Sequence, residues 1–153
     1  MKEILNKFND DEISTLYVED NLTTKTVFTK NFHDTESMLC SLRRLTVNQP
    51  WPWWLVKVFS FKQLDSPYIG HPYGYQYVME RLYPLSFLEK NMLNMSPNVR
   101  HLIFPNMQRL LETALAAKYE DLHEGNIMKT KQGQYKCIDI ESFPYVGGGG
   151  EYY

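Results

Sequence analysis

A chain of 153 residues, 43% hydrophobic and 14% aromatic, carries enough apolar material for one real core. Its formal charge of −2 excludes a binding mode driven mainly by attraction to nucleic acid or to anionic lipid. No apolar run approaches the length of a membrane span, and the opening "MKEILNKFNDDEIS" has acids where a secretory signal needs an apolar centre. Cys40 and Cys137 lie far apart and have no metal-ligand spacing. They read as two buried thiols of a soluble protein in a reducing cytoplasm.

In chain order, "LYVED" and "KTVFTK" alternate apolar and polar residues, predicting two short strands joined by a turn around Asn21. "HDTESMLCSLRRL" then sets Met38, Leu39, Leu42 and Leu45 at helical spacing, with Asp34 or Thr35 placed to cap. The prolines of "NQPWPWW" end that helix. "WLVKVFSF" and "YGYQYVMERLYPL" are rich in β-branched and aromatic residues and predict two more strands around a turn at "DSPYIGHPYG". "SFLEKNML" predicts a short helix. "NVRHLIFPNMQRLLETALAAKYE" predicts a long one, with Leu102, Met107, Leu110, Leu111, Ala114 and Leu115 on its apolar face and Pro105 in its first turns or at a kink. "NIMKTKQGQYKCIDIESF" reads as a hairpin turning at Gly133. The order is α+β, an antiparallel sheet first and helices after it. Residues 1–143 are expected to form one domain, and residues 144–153, with four consecutive glycines, a flexible tail.

The polar cluster "YEDLHEGNIM" sits between the long helix and the hairpin. Asp121 and Asn126 are five residues apart, and Asp139 follows thirteen residues later at the end of the second hairpin strand. A hairpin of that length brings its ends together, so Asn126 and Asp139 can flank one cation with Asp121 a loop away. Magnesium takes oxygen ligands, and an amide, a carboxylate, phosphate oxygens and water suffice. The plainer alternative is a capped helix end followed by a polar turn. His123 has no second histidine nearby to make a metal site with it.

"DLHEGNIM" followed by "CIDIES" resembles the catalytic loop and metal-binding Asp of the protein-kinase-like superfamily. The style is that of aminoglycoside phosphotransferases, and the sequence is also similar to the small Ser/Thr protein kinases of T-odd-type bacteriophages. The resemblance covers roughly residues 15 to 143 and implies a truncated protein-kinase-like fold using ATP and Mg²⁺. It implies Asp121 as the catalytic base and Asn126 and Asp139 as metal ligands. It implies Lys25 or Lys30 as the phosphate-binding lysine, the end of an alternating strand favouring Lys30. Glu36 would be the helix acid paired with it, and Glu80 to Leu82 the hinge beside adenine. The implied partner is a protein substrate or a host target.

The departures are as informative. No glycine precedes Gly70, so the glycine-rich loop over the phosphates is missing, and the turn near Glu19 to Thr24 cannot approach phosphate as closely. Tyr119 and Glu120 stand where many kinases have His-Arg, and Ile140 and Glu141 where they have Phe-Gly. Only fourteen residues follow Asp139, leaving no room for a substrate platform. Two functions remain open: a minimal phosphotransferase, or a kinase-derived decoy that blocks a host protein. The "WPWW" cluster is either an exposed partner anchor or packing beneath a helix-to-strand connection.

Overall fold

The computed structural model describes residues 3–8, 12–47, 50–119, 122, 124–138 and 140. It divides into two compact units. The first contains residues 57–81 and the described residues up to 47; the second contains residues 50–56 and those from 82 onward. The expected tail lies outside the described residues.

The first unit is a five-stranded antiparallel sheet in the order β1-β2-β3-β5-β4, formed by β1 (Glu3–Phe8), β2 (Glu12–Val18), β3 (Leu22–Thr29), β4 (Val58–Asp65) and β5 (Tyr73–Glu80). Strand β1 is an addition to the sequence reading, which assigned no element before Leu16. The predicted strand at "WLVKVFSF" begins only at Val58, because residues 54–56 pair elsewhere. Alternation builds the inner face: Thr23, Val27 and Thr29 of β3 are buried, and Val27 lies opposite Tyr75, Thr23 opposite Met79. Helix α1 (Phe32–Val47) packs on β3, β4 and β5. Its buried Met38, Leu39, Leu42 and Leu45 keep the spacing predicted for them. The β2–β3 turn is tied down by Arg81, whose amide donates to Asn21 O at 3.1 Å and whose guanidinium donates to Glu19 O at 2.9 Å.

In the second unit, helix α2 (Phe87–Met92) starts at a reciprocal cap: Ser86 Oγ accepts the Glu89 amide and Glu89 Oε1 accepts the Ser86 amide. The predicted long helix is two helices, α3 (Pro97–Ile103) and α4 (Pro105–Ala116). Pro105 has no N–H to continue the ladder and forces the residue before it out of helical geometry, so Phe104 sits at φ −129°, ψ 69°. The break resets the helical phase. Met107, Leu110, Leu111 and Ala114 are buried as predicted, but Leu102 is 81% exposed and Leu115 61%. Arg100 is buried, bonded through Nε to Gln108 Oε1 at 2.7 Å and through Nη1 to the carbonyls of Leu93 and Met95 in the segment that follows α2. No helix among the described residues is long and apolar enough to cross a membrane.

Candidate active site

The approach to the polar cluster is set by how α4 ends. The Tyr119 amide donates to Ala114 O and the Lys118 amide to Leu115 O, both at 2.9 Å, while Lys118 adopts φ +64°. This pair of bonds closes the helix with a left-handed residue, a place glycine usually fills. The turn drives Tyr119 into the core, fully buried and edge-on to Trp54 at a centroid distance of 5.7 Å.

Beyond it, Glu124–Asn126 form a single 3-10 turn leading into β6 (Ile127–Lys129), which pairs with β7 (Tyr135–Cys137). Ile127 lies opposite Cys137, and the Ile138 amide donates to Asn126 O at 2.9 Å. The hairpin therefore brings its two ends together, as the spacing predicted. Asn126 is buried at 8% exposure, next to the strand end that carries residue 138. Asp121, His123 and Asp139 lie outside the described residues. Among the described residues no three His, Cys, Asp or Glu side chains stand together as a metal cluster.

Three-residue strands cannot hold a hairpin alone. This one is pinned from three directions. Tyr83 and Lys129 exchange backbone hydrogen bonds of 2.7 and 2.9 Å. Val56 donates to Cys137 O at 2.8 Å and Cys137 donates to Trp54 O at 2.7 Å, so the tryptophan segment forms a parallel bridge to β7. Third, Glu89 accepts from Lys129 Nζ at 2.8 Å and from the Tyr135 hydroxyl at 2.6 Å while still capping α2. Burial pushes the Glu89 carboxyl up, but the bonds from Lys129, Tyr135 and Ser86 outweigh it and bring the group down to about 2. Burial, then the Glu89 carboxylate, raises the Tyr135 hydroxyl well above the usual phenol range. Burial also pushes the Cys137 thiol up to about 12, so it is an inert packing group here.

Sequence reasoning missed Glu89. Ser86 and Glu89 have the capping-box spacing, so its local role was readable; its partners, forty residues and more away, were not.

In the sheet unit, Lys25 shares its strand parity with Thr23, Val27 and Thr29 and lies opposite fully buried Tyr77, on the face that carries the core. Lys30 follows the strand and is exposed. Glu36 is exposed, outside the stripe of Thr35, Met38, Leu39 and Leu42. Glu80 is engaged at the start of β4: its carboxylate accepts the Lys57 amide at 2.7 Å and its amide donates to Lys57 O at 3.0 Å. Leu82 is buried in the second unit, and the boundary between the two units falls at Arg81 and Leu82.

No known family profile matches the sequence, and no curated protein matches it. Solved structures do. A crystal structure of monomeric WbdD superposes over 84% of this chain with a TM-score of 0.52 and 12% identity. WbdD in complex with the kinase inhibitor LY294002 covers 93% with a TM-score of 0.55 and 11% identity. The fold is kinase-like. At this identity the likeness concerns the fold alone, and the chain spans about a third of the length of the WbdD chains, 32% and 33%.

Proposed function

We propose that this chain is an ATP- and Mg²⁺-dependent phosphotransferase of kinase-like fold. The observation that carries the reading is the β6–β7 hairpin, which joins Asn126 to the residue before Asp139 through the Ile138–Asn126 hydrogen bond. The donors fit the cation: a buried amide oxygen and a carboxylate are hard oxygen ligands, the kind magnesium selects. Asn126 and Asp139 would hold it, and it would neutralise the charge on the transferred phosphoryl group. Asp121 accepts the proton of the attacking hydroxyl. Lys25, which shares the inner face of β3, is the lysine we assign to the nucleotide phosphates. Glu80 to Leu82, the hinge segment that the resemblance implies, would meet adenine. On the loop motif alone, the acceptor is a Ser or Thr hydroxyl of a host protein, as in the bacteriophage kinases the loop resembles, and the place of action is the host cytoplasm.

The decisive experiment is transfer from γ-labelled ATP with Mg²⁺, comparing wild type with Asp121→Asn and Asp139→Ala. Asp121→Asn should abolish transfer with its circular dichroism unchanged, and Asp139→Ala should lose both transfer and Mg²⁺-dependent nucleotide binding. Transfer that survives Asp121→Asn would overturn the reading.

One observation favours a second reading, a kinase-derived decoy. No glycine occurs among the first 69 residues, so no glycine-rich loop of the sheet unit can bring backbone amides close to phosphate. Wild-type protein that binds no ATP under these conditions would establish that reading in place of the first.

A further inference from the structure

The three tryptophans of "WPWW" have different fates. Trp51 donates its indole N–H to Val56 O at 3.2 Å, and Trp54 is 5% exposed against Tyr119. Trp53 alone of the three is left 37% exposed, with the Arg109 guanidinium over its ring at 4.9 Å from the centroid. Both line a cavity of about 460 Å³ within the second unit, between the first turns of α4 and the turn of the β6–β7 hairpin. Asn106, Gln132 and Gln134 complete its polar wall.

We propose that this cavity docks an acidic peptide segment. Its carboxylate would sit on Arg109, an apolar neighbour on the Trp53 ring, and its backbone between the amides. Four features carry the assignment. Among the described residues no carboxylate lines the cavity and none pairs with Arg109, whose guanidinium lies over the indole ring. The side chains of Asn106, Gln132 and Gln134 make no hydrogen bond among the described residues, and amides of both polarities suit the alternating N–H and C=O of an extended chain. One lining side chain, Tyr135, is fixed, because its hydroxyl donates to Glu89. The volume lies in the range of small-ligand pockets and fits a few residues of peptide. A guanidinium forks onto carboxylate and phosphate alike, so a phosphorylated peptide is the competitor the test must include.

The test is fluorescence polarisation with fluorescein-labelled Leu-Glu-Leu-Asp, run beside the isosteric Leu-Gln-Leu-Asn amide and a Leu-phosphoserine-Leu peptide. The acidic peptide should bind, the amide version roughly tenfold more weakly, and Arg109→Gln should lower acidic-peptide affinity by a similar factor. Arg109→Lys, keeping charge without the planar fork, should fall between. Arg109 is exposed, so Arg109→Gln should keep its urea midpoint, and Trp53→Ala provides a second, independent loss of binding. Equal binding of the acidic and amide peptides, or affinity unchanged in Arg109→Gln, would overturn the proposal. Tighter binding of the phosphoserine peptide would overturn the carboxylate assignment. No nucleotide is present in this assay, so its failure is distinguishable from failure of phosphoryl transfer.

Discussion

Glu89→Gln isolates what the buried carboxylate contributes. Folding lowers this group from its ordinary 4.5 to about 2, and at 1.36 kcal/mol per pH unit that corresponds to about 3 kcal/mol in favour of the ionised, hydrogen-bonded form. The glutamine is isosteric but uncharged, and it leaves the Lys129 ammonium and the Tyr135 hydroxyl imperfectly satisfied. Lys129 is 30% exposed and can turn to water, so the expected loss at pH 7 is about 2–3 kcal/mol, the lower end for breaking a buried pair. The measurement is urea unfolding followed by tryptophan fluorescence, wild type against variant, over a pH series. Because the folded-state value is depressed, the contribution is whole above about 4.5 and disappears as pH falls through about 2. The gap between the two proteins should be full at pH 7 and close across that window. A gap under about 0.5 kcal/mol at neutral pH, the range of ordinary surface substitutions, would refute the reasoning. So would a gap that stays constant down to pH 2.

At Gly74, an added Cβ would lie 2.4 and 2.6 Å from ring carbons of Phe28, which is itself packed on Tyr68 at 5.4 Å. Gly74→Ala should therefore destabilise by about 1–3 kcal/mol, and an unchanged urea midpoint would count against the packing described. Lys118→Gly should stabilise the fold by up to about 1 kcal/mol and so raise the thermal midpoint, since glycine has no Cβ to oppose φ +64° at the end of α4. A lowered midpoint would show that the lysine side chain matters more than its backbone. Iodoacetamide at pH 8 should label Cys40, which is partly exposed, and spare Cys137 until urea is added. Mass spectrometry of the native protein showing Cys137 labelled at a comparable rate would contradict the burial assigned to it.

How much of this was legible depended on how local the signal was. The strands from β2 onward, α1 and the hairpin follow from side-chain period and turn residues, both readable over a few positions. The approach of Ile138 to Asn126 was readable because hairpin geometry converts sequence distance into proximity. β1 escaped because Ile4, Leu5 and Phe8 do not alternate cleanly and acids surround them. Pro105 announced a boundary, but sequence alone did not separate a kink from a new helix start. The choice between Lys25 and Lys30 turns on strand parity, which needs strand ends known to one residue. The link of Glu89 to Lys129 and Tyr135, and that of Trp54 and Val56 to Cys137, join residues distant in sequence, and nothing local encodes them.

The bridge from the tryptophan segment to β7 also has a temporal consequence. Residues 50–56 are made early, yet the strand that covers them follows roughly 80 residues later, about 4–16 s at ordinary synthesis rates of 5–20 residues per second. During that interval Trp54 and Val56 have no strand to pair with, although the strands of the first unit have already been made. The nascent chain thus presents an aromatic segment whose own unit is still incomplete, a natural target for chaperones and a point at which aggregation competes with completion.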